Sequence, residues 1–466
     1  MSRLFIALAL WSAFFLTLLT GCAVGPNYHK PSQPDVVAQN LDATHFSNAA
    51  PTVSWWGQFQ DEELSSLEQR ALLGDLDVHS AIARVRAARA AFSESELNFA
   101  PHVPLNASYS QSKEQYPGLT NDRIDIKTYT AGFDASWELD LFGHTRREAQ
   151  AARASLESQE ATLQDTRVIV AAEVARNYFE LRGVQRQLAV TRENLDNERE
   201  ALRLSQVRYD AGRVTELDVD SAQARLKATE AELPTLEAQQ KAFGYRLAVL
   251  LGLRPGELDA ELASEFSAPA RDTALPIGDV SSLLRRRPDV RAAERNLAAA
   301  NARVGVATAE LFPRVTFDGF IGFLTGDASQ FGKAASRAWA YTPTVTWTGL
   351  DFPSAHARLR AAKADNDAEL AAYQKAVLGA LEDFENACVS YSKQQTRLGS
   401  VLEQDQASRR AAELAQVQYR EGRINFLVLL DAQRTLLQAD EDVATAQTAV
   451  NTSAVAVYKA LGGIGT

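Results

Sequence analysis

Val207-Arg208-Tyr209-Asp210-Ala211-Gly212-Arg213 returns about 210 residues later as Val417-Gln418-Tyr419-Arg420-Glu421-Gly422-Arg423. The register holds well beyond this block. Ala222-Gln223 and Leu226 match Ala432-Gln433 and Leu436, and Leu251-Gly252 matches Leu461-Gly462. Upstream, Trp137 and Phe142 match Trp347 and Phe352. At an offset of about 212, Asp77-Val78 matches Asp289-Val290, and Pro101 and Val103 match Pro313 and Val315. Self-similarity carried this far is the mark of one supersecondary unit used twice.

Each copy of the quoted block closes a long helix. From Thr145 to Tyr209 there is no proline and one glycine, Gly183. At about 1.5 Å per residue such a helix spans roughly 100 Å, which excludes a compact globule. Leu156, Leu163 and Val170 recur every seventh residue, a step of four leads to Val174, and sevens resume at Leu181, Leu188, Leu195, Leu202 and Tyr209. That is a coiled-coil seam with one four-residue stutter, which locally unwinds the supercoil. Tyr373, Ala380, Phe384, Tyr391 and Leu398 echo it until Asp405 interrupts. Gly212 and Gly422 then mark turns, each followed by a return helix.

Ahead of each long helix the chain predicts a helix and two strands. The helices cover Glu62–Phe99 and Val280–Leu311, stopped by Pro101 and Pro313, which cannot continue them. Tyr129, Ala131, Phe133, Ala135, Trp137, Leu139 and Leu141 alternate with polar neighbours from Thr128 to Asp140, a half-buried strand. Val103–Tyr109 is its weaker partner. In the second copy Val315, Phe317, Ile321 and Phe323 share a face. So do Trp339, Tyr341, Val345 and Trp347, with Thr342, Thr344, Thr346 and Thr348 opposite. Polar loops near 113–125 and 324–338 join each pair.

Four amphipathic strands cannot close a barrel, since small barrels need about eight. A lone four-stranded sheet in lipid would leave open edges that hydrocarbon does not tolerate. Three chains pooling their strands would make twelve, with apolar faces to lipid and Thr-rich faces to water. The long helices are too charged for a bilayer and must project from the barrel. The alternative is a small soluble sheet on a coiled-coil spacer.

The N-terminus reads as an address. Met1-Ser2-Arg3 is basic, Leu4 to Leu19 is almost purely apolar, and Leu19-Thr20-Gly21-Cys22 follows. This is a secretory signal, too short to span a membrane. A Cys directly after small residues resembles a lipobox, which implies that Cys22 becomes the first mature residue and is acylated; the alternative is an uncleaved membrane anchor. The organisation is then a lipoprotein signal peptide at 1–21, a lipid-anchored extended segment at 22–61, a first repeat at 62–270 and a second at 271–466. Composition narrows the function. Of 466 residues, 48 are basic and 59 acidic, a net charge of −11 that argues against a nucleic-acid partner. Two cysteines make no disulfide framework, and Cys388 stands alone as a small packed residue. The histidines at 29, 45, 79, 102, 144 and 356 form no i,i+4 pair, so no metal site is indicated. No phosphate-binding loop or nucleophile elbow is present, so no enzyme reading has support. Arg285-Arg286-Arg287, set before Pro288 at a helix start, reads as a structural loop rather than a recognition patch.

Several motifs resemble those of the outer-membrane efflux lipoproteins of the TolC/OprM type. They are Ala23-Val24-Gly25-Pro26-Asn27-Tyr28 after the lipobox, Trp55-Trp56, and Arg286-Arg287-Pro288-Asp289-Val290-Arg291-Ala292-Ala293-Glu294. Leu430-Asp431-Ala432-Gln433-Arg434 and Tyr458-Lys459-Ala460-Leu461-Gly462-Gly463 complete the set. The resemblance implies an α+β membrane protein: a homotrimer with a twelve-stranded β-barrel in the outer membrane and a twelve-helix periplasmic tunnel. It implies a periplasmic adaptor and an inner-membrane pump of the resistance-nodulation-division (RND) class as partners, with this component a passive duct. Ala23 rather than aspartate after Cys22 favours the outer membrane. No cofactor is implied beyond the lipid. The resemblance also places an iris-like periplasmic gate at Leu427, Asp431 and Arg434, whose spacing of four and three puts them on one helix face. Threefold symmetry would make Asp431 a ring of three carboxylates, which binds cations and resists anions. The bland reading of Asp431 and Arg434 is a solvated surface pair. Asp218 and Tyr419 match positions of inter-helix links. Ile424 stands where some members carry the linking arginine, leaving Arg423 or Arg434 to substitute. Gly212 and Gly422 become adaptor-facing turns. Two other functions stay open: a structural coiled-coil lipoprotein without a pore, and an exit duct for protein secretion.

Overall fold

The computed structural model describes residues 23–32, 44–49, 54–115, 122–263, 274–279 and 282–463. In chain order the elements are β1 (Phe46–Ser47), α1 (Glu62–Gly74), α2 (Leu76–Leu97), β2 (Leu105–Glu114), β3 (Ile124–Leu139), α3 (His144–Asp210) and α4 (Glu216–Leu250). There follow β4 (Leu275–Pro276), α5 (Leu283–Arg286), α6 (Pro288–Ala309), β5 (Arg314–Thr325), β6 (Arg337–Thr346), α7 (Phe352–Arg420) and α8 (Phe426–Ala460). A 3-10 turn at Trp55–Phe59 precedes α1. Two compact units cut across the repeats. A strand unit takes residues 1–32, 84–160 and 292–374, and a helix unit takes 33–83, 161–291 and 375–466.

The strand unit holds one antiparallel sheet of order β2-β3-β5-β6. The two copies meet at β3 and β5. Register makes the alternation a surface: Leu105, Phe133, Ile321 and Trp339 stand in one row across all four strands. Their exposures are 67%, 51%, 66% and 73%, so this apolar face is bare. The opposite parity aligns Ser136, Asp318 and Thr342, with the Ser136 hydroxyl donating to Asp318 at 2.8 Å. The outer edges of β2 and β6 pair with no other strand among the described residues. Matched tryptophans repeat one contact: Trp137 donates to the Phe99 carbonyl at 2.9 Å and Trp347 to the Leu311 carbonyl at 3.1 Å.

In the helix unit the seam residues Val170, Val174, Leu181, Leu188 and Leu195 are buried, as are Ala380, Phe384 and Tyr391. Tyr209 is 40% exposed, so the seam ends one heptad short of expectation. Trp55 stacks on Tyr458 with centroids 5.2 Å apart, and Phe59 meets Phe179 at 4.6 Å. A two-residue parallel pairing of β1 with β4 was invisible in the sequence, because so short a strand shows no period.

Two expected helices are each broken in two. Glu62–Phe99 splits at Asp75, whose backbone is extended and whose carboxylate accepts the Asp77 and Val78 N–H groups at 2.8 and 3.0 Å. Asp75 thus caps α2. Val280–Leu311 splits at Arg287, likewise extended, with Pro288 as the first residue of α6, where its missing N–H costs nothing. Arg287 is the structural residue its position suggested. Buried, it forks onto Asp289 at 2.7 Å and Asp383 at 3.1 Å and donates to the Ala460 carbonyl at 3.1 Å. Among the described residues no helix is long and apolar enough to cross a membrane.

Candidate functional site

The helical turns are built alike in both copies. Gly212 adopts φ +67° and Gly422 φ +74°, a left-handed conformation that glycine takes without strain. Gly212 N–H donates to Tyr209 O at 2.8 Å and Arg213 N–H to Arg208 O at 2.8 Å. Gly422 and Arg423 repeat this onto Tyr419 and Gln418 at 3.0 and 2.8 Å. These are paired bonds that satisfy the last carbonyls of a helix.

Asp218 is occupied locally. Its carboxylate accepts the Thr215 N–H at 2.9 Å and completes a capping box on α4. Asn425 caps α8 by accepting the Val428 N–H at 3.0 Å. Tyr419 has neighbours on two other helices: the Arg208 guanidinium of α3 lies 4.2 Å from its ring centroid, and Phe426 of α8 lies 5.5 Å away. Burial raises the Tyr419 hydroxyl pKa, which the Arg208 charge opposes and the Asp218 charge supports. Arg423 pairs instead with Glu421 at 2.9 Å, in solvent. Ile424 packs on the cluster of Ala222, Ala415, Phe426, Leu429 and Leu430. An apolar contact thus stands where an arginine link was sought.

Leu427, Asp431 and Arg434 share the exposed face of α8. Leu427 is 48% exposed, and Arg434 reaches Asp431 at 2.8 Å with both side chains about two-thirds exposed. Behind them Arg225 of α4 pairs with buried Glu198 of α3 at 2.9 Å and donates to the Leu430 carbonyl at 2.7 Å. This ties the first turns of α8 to both neighbours. Sequence reasoning missed Arg225, Glu198 and Arg208. Only Arg208 carried a signal, lying in the repeated block where the second copy has Gln418. Higher up, Asp405, the seam's interruption, meets Arg409 at 3.1 Å, and Arg409 reaches Asp440 of α8 at 2.6 Å. These three border a polar cavity of about 360 Å³ with Arg182, Arg186 and Asn451. Burial first, and then Asp405, raises the Asp440 carboxyl pKa, against the pull of Arg409.

Cys22 lies outside the described residues, as do residues 1–21, where a signal peptide is expected, and residues 116–121. Among the described residues no group of three or more His, Cys, Asp or Glu could hold a metal ion. Cys388 is buried and unbridged, and burial pushes its thiol up to about 12.

An amphipathic sheet with open edges and long hairpins with matched glycine turns define a class, that of outer-membrane channel protomers. The profile of the "Outer membrane efflux protein" family matches residues 67–253 and again 280–463. Nodulation protein T of Rhizobium leguminosarum bv. trifolii is 31% identical, over 93% of this chain and 92% of its own. The pyoverdine export outer membrane protein OpmQ of Pseudomonas putida is 33% identical, over 90% and 89%. Among solved structures, the outer-membrane channel OprN superposes with a TM-score of 0.90 at 46% identity, covering 95% of this chain and 99% of that one. The Campylobacter jejuni CmeC channel superposes with a TM-score of 0.87 at 22% identity, over 95% of both, a likeness of fold. The chain belongs to the outer membrane efflux protein family. The family and these structural neighbours are channels, not enzymes.

Proposed function

We propose that the chain is the exit duct of a tripartite efflux system. Three copies pool their sheets into a twelve-stranded barrel in the outer membrane, and their long helices form a periplasmic tunnel. The duct is passive: an inner-membrane RND-type pump drives the cargo and a periplasmic adaptor joins pump to duct. One observation carries this reading: a four-stranded sheet with a bare apolar face, a polar opposite face and two edges that pair with no strand among the described residues. Hydrocarbon excludes open edges, so the strands must be completed by other copies. The pyoverdine exporter among the relatives supports a small-molecule cargo, with drugs, toxic small molecules and metal ions as the expected range.

Leu427, Asp431 and Arg434 form the periplasmic gate, with Asp431 repeated as a carboxylate ring that favours cations. The Tyr419–Arg208 contact is the inter-helix link near it, and the Gly212 and Gly422 turns face the adaptor. Acyl chains on Cys22 anchor each copy in outer-membrane lipid. The deciding measurement is the native mass of the complex drawn from outer membranes in mild detergent. Three chains, each heavier by its acyl groups, is the expected result. A monomer would leave a pore-less coiled-coil lipoprotein as the better account, and a trimer without acyl mass would discard only the anchor.

A further inference from the structure

The residues just after Cys22 are built into the strand unit. Val24 N–H donates to the Phe142 carbonyl at 3.0 Å, in the turn between β3 and α3. Arg147, on the first turn of α3, is 4% exposed. Its guanidinium donates to the Val24 carbonyl at 3.2 Å, the Gly25 carbonyl at 3.3 Å and Asn27 Oδ1 at 3.0 Å. It also reaches Gln150 Oε1 at 3.0 Å. Space for this arm is made by Gly305 of α6, where a Cβ would stand 2.7 Å from Arg147 Cδ. Gly25, at φ +87°, lies so close to Gly305 that its own Cβ would stand 2.7 Å from that Cα. Further on, the Tyr28 hydroxyl donates to Glu294 of α6, and Arg295 lies 5.7 Å from the Tyr28 ring centroid. A trailing linker has no use for glycines cut to fit a buried arginine.

We propose that Arg147 is a positioning residue that docks the segment after Cys22 onto the corner between β3 and α3, so that the acylated terminus enters the bilayer at one fixed point of each protomer. The proposal rests on the lipid-anchor reading above. Only Ala23 separates Cys22 from the first docked residue. Two residues reach at most about 7 Å, so the acyl chains are delivered beside the end of β3. Arginine suits the task because its planar fork serves several acceptors at once, whereas lysine is a point donor.

The test uses the full chain in isolated outer membranes. Chymotrypsin cleavage after Tyr28 reads the dock, and a nitroxide on Val24→Cys reads its mobility. Wild type should resist cleavage and hold the label immobile. Arg147→Ala and Arg147→Lys should be cut at least about tenfold faster, as expected when local opening becomes cheap. The segment-side variant Gly25→Val should behave likewise, and it carries the test if Arg147→Ala does not assemble. Unchanged cleavage and mobility in these variants, or rapid cleavage of wild type, would overturn the dock. The mass of the N-terminal peptide, released by the same protease after denaturation, reports acylation separately. A protected but unacylated terminus overturns the anchor alone, and an acylated but freely cleaved one overturns the dock.

Discussion

Single residues carry two different kinds of charge here. Glu68 of α1 is fully buried on the face that also buries Leu64, Leu67 and Ala71. Neither of its carboxyl oxygens makes a hydrogen bond. Burial holds its pKa well above the usual carboxylate range. A carboxyl whose folded pKa is raised favours the fold below its unfolded pKa and loses that contribution as pH rises through the folded one. Glu68→Gln is therefore expected to be near neutral in acid. At alkaline pH it should stabilise by roughly 1–3 kcal/mol, the scale of one unsatisfied buried group. Melting of the detergent-solubilised assembly across pH checks this, and parallel curves for the two proteins would refute it. Asp431 and Arg434 are the opposite case. Their exposed pair contributes under about 1 kcal/mol. Asp431→Ala and Arg434→Ala should leave melting unchanged and alter single-channel conductance and cation selectivity. Wild-type currents from both variants would sink the gate assignment.

At the scale of elements, the long helices were legible because a seven-residue period survives any local irregularity. The observed His144–Asp210 brackets the expected Thr145–Tyr209. The break at Asp75 leaves no more than a capping aspartate in the sequence; the loop and helix start at Arg287-Pro288 were legible, although the expected Val280–Leu311 helix ran through them. An apolar stripe running through both sides hid the break at Asp75. What makes the breaks necessary is contact across the fold. Gly252, at φ +73°, closes so tightly on α1 that a Cβ would stand 2.4 Å from the Gly74 carbonyl oxygen. Its repeat partner Gly462, at φ +86°, stands less tightly against the Arg287 backbone, a Cβ there lying 3.1 Å from Arg287 Cα. Gly252→Ala combines left-handed strain with a backbone collision and should cost about 1–3 kcal/mol. Chemical denaturation in detergent gives the value, and a loss below a few tenths would show that the loop simply moves aside.

For the whole molecule the sheet is the decisive surface. Ile321 sits in the middle of the bare row and is 66% exposed. If that row meets lipid, Ile321→Arg near the bilayer midplane costs roughly 2–4 kcal/mol. It should lower the yield of the assembled, heat-stable form on a native gel, while Thr342→Lys on the polar face is tolerated. Equal yields from both would argue that neither face meets hydrocarbon.

Duplication, seam and strand alternation were determined by the sequence alone, because each is a pattern along one dimension that many residues repeat. Tertiary structure alone decided that the copies join at β3 and β5, that Arg287 forks onto Asp289 and Asp383, and that Arg208 covers Tyr419. It alone set Glu68 in the core and closed Arg147 over Val24, Gly25 and Asn27. Nearly all of these are single pairings between residues far apart in the chain. One side chain meeting one distant partner leaves no periodic trace, so its role exists only once folding has set the two together.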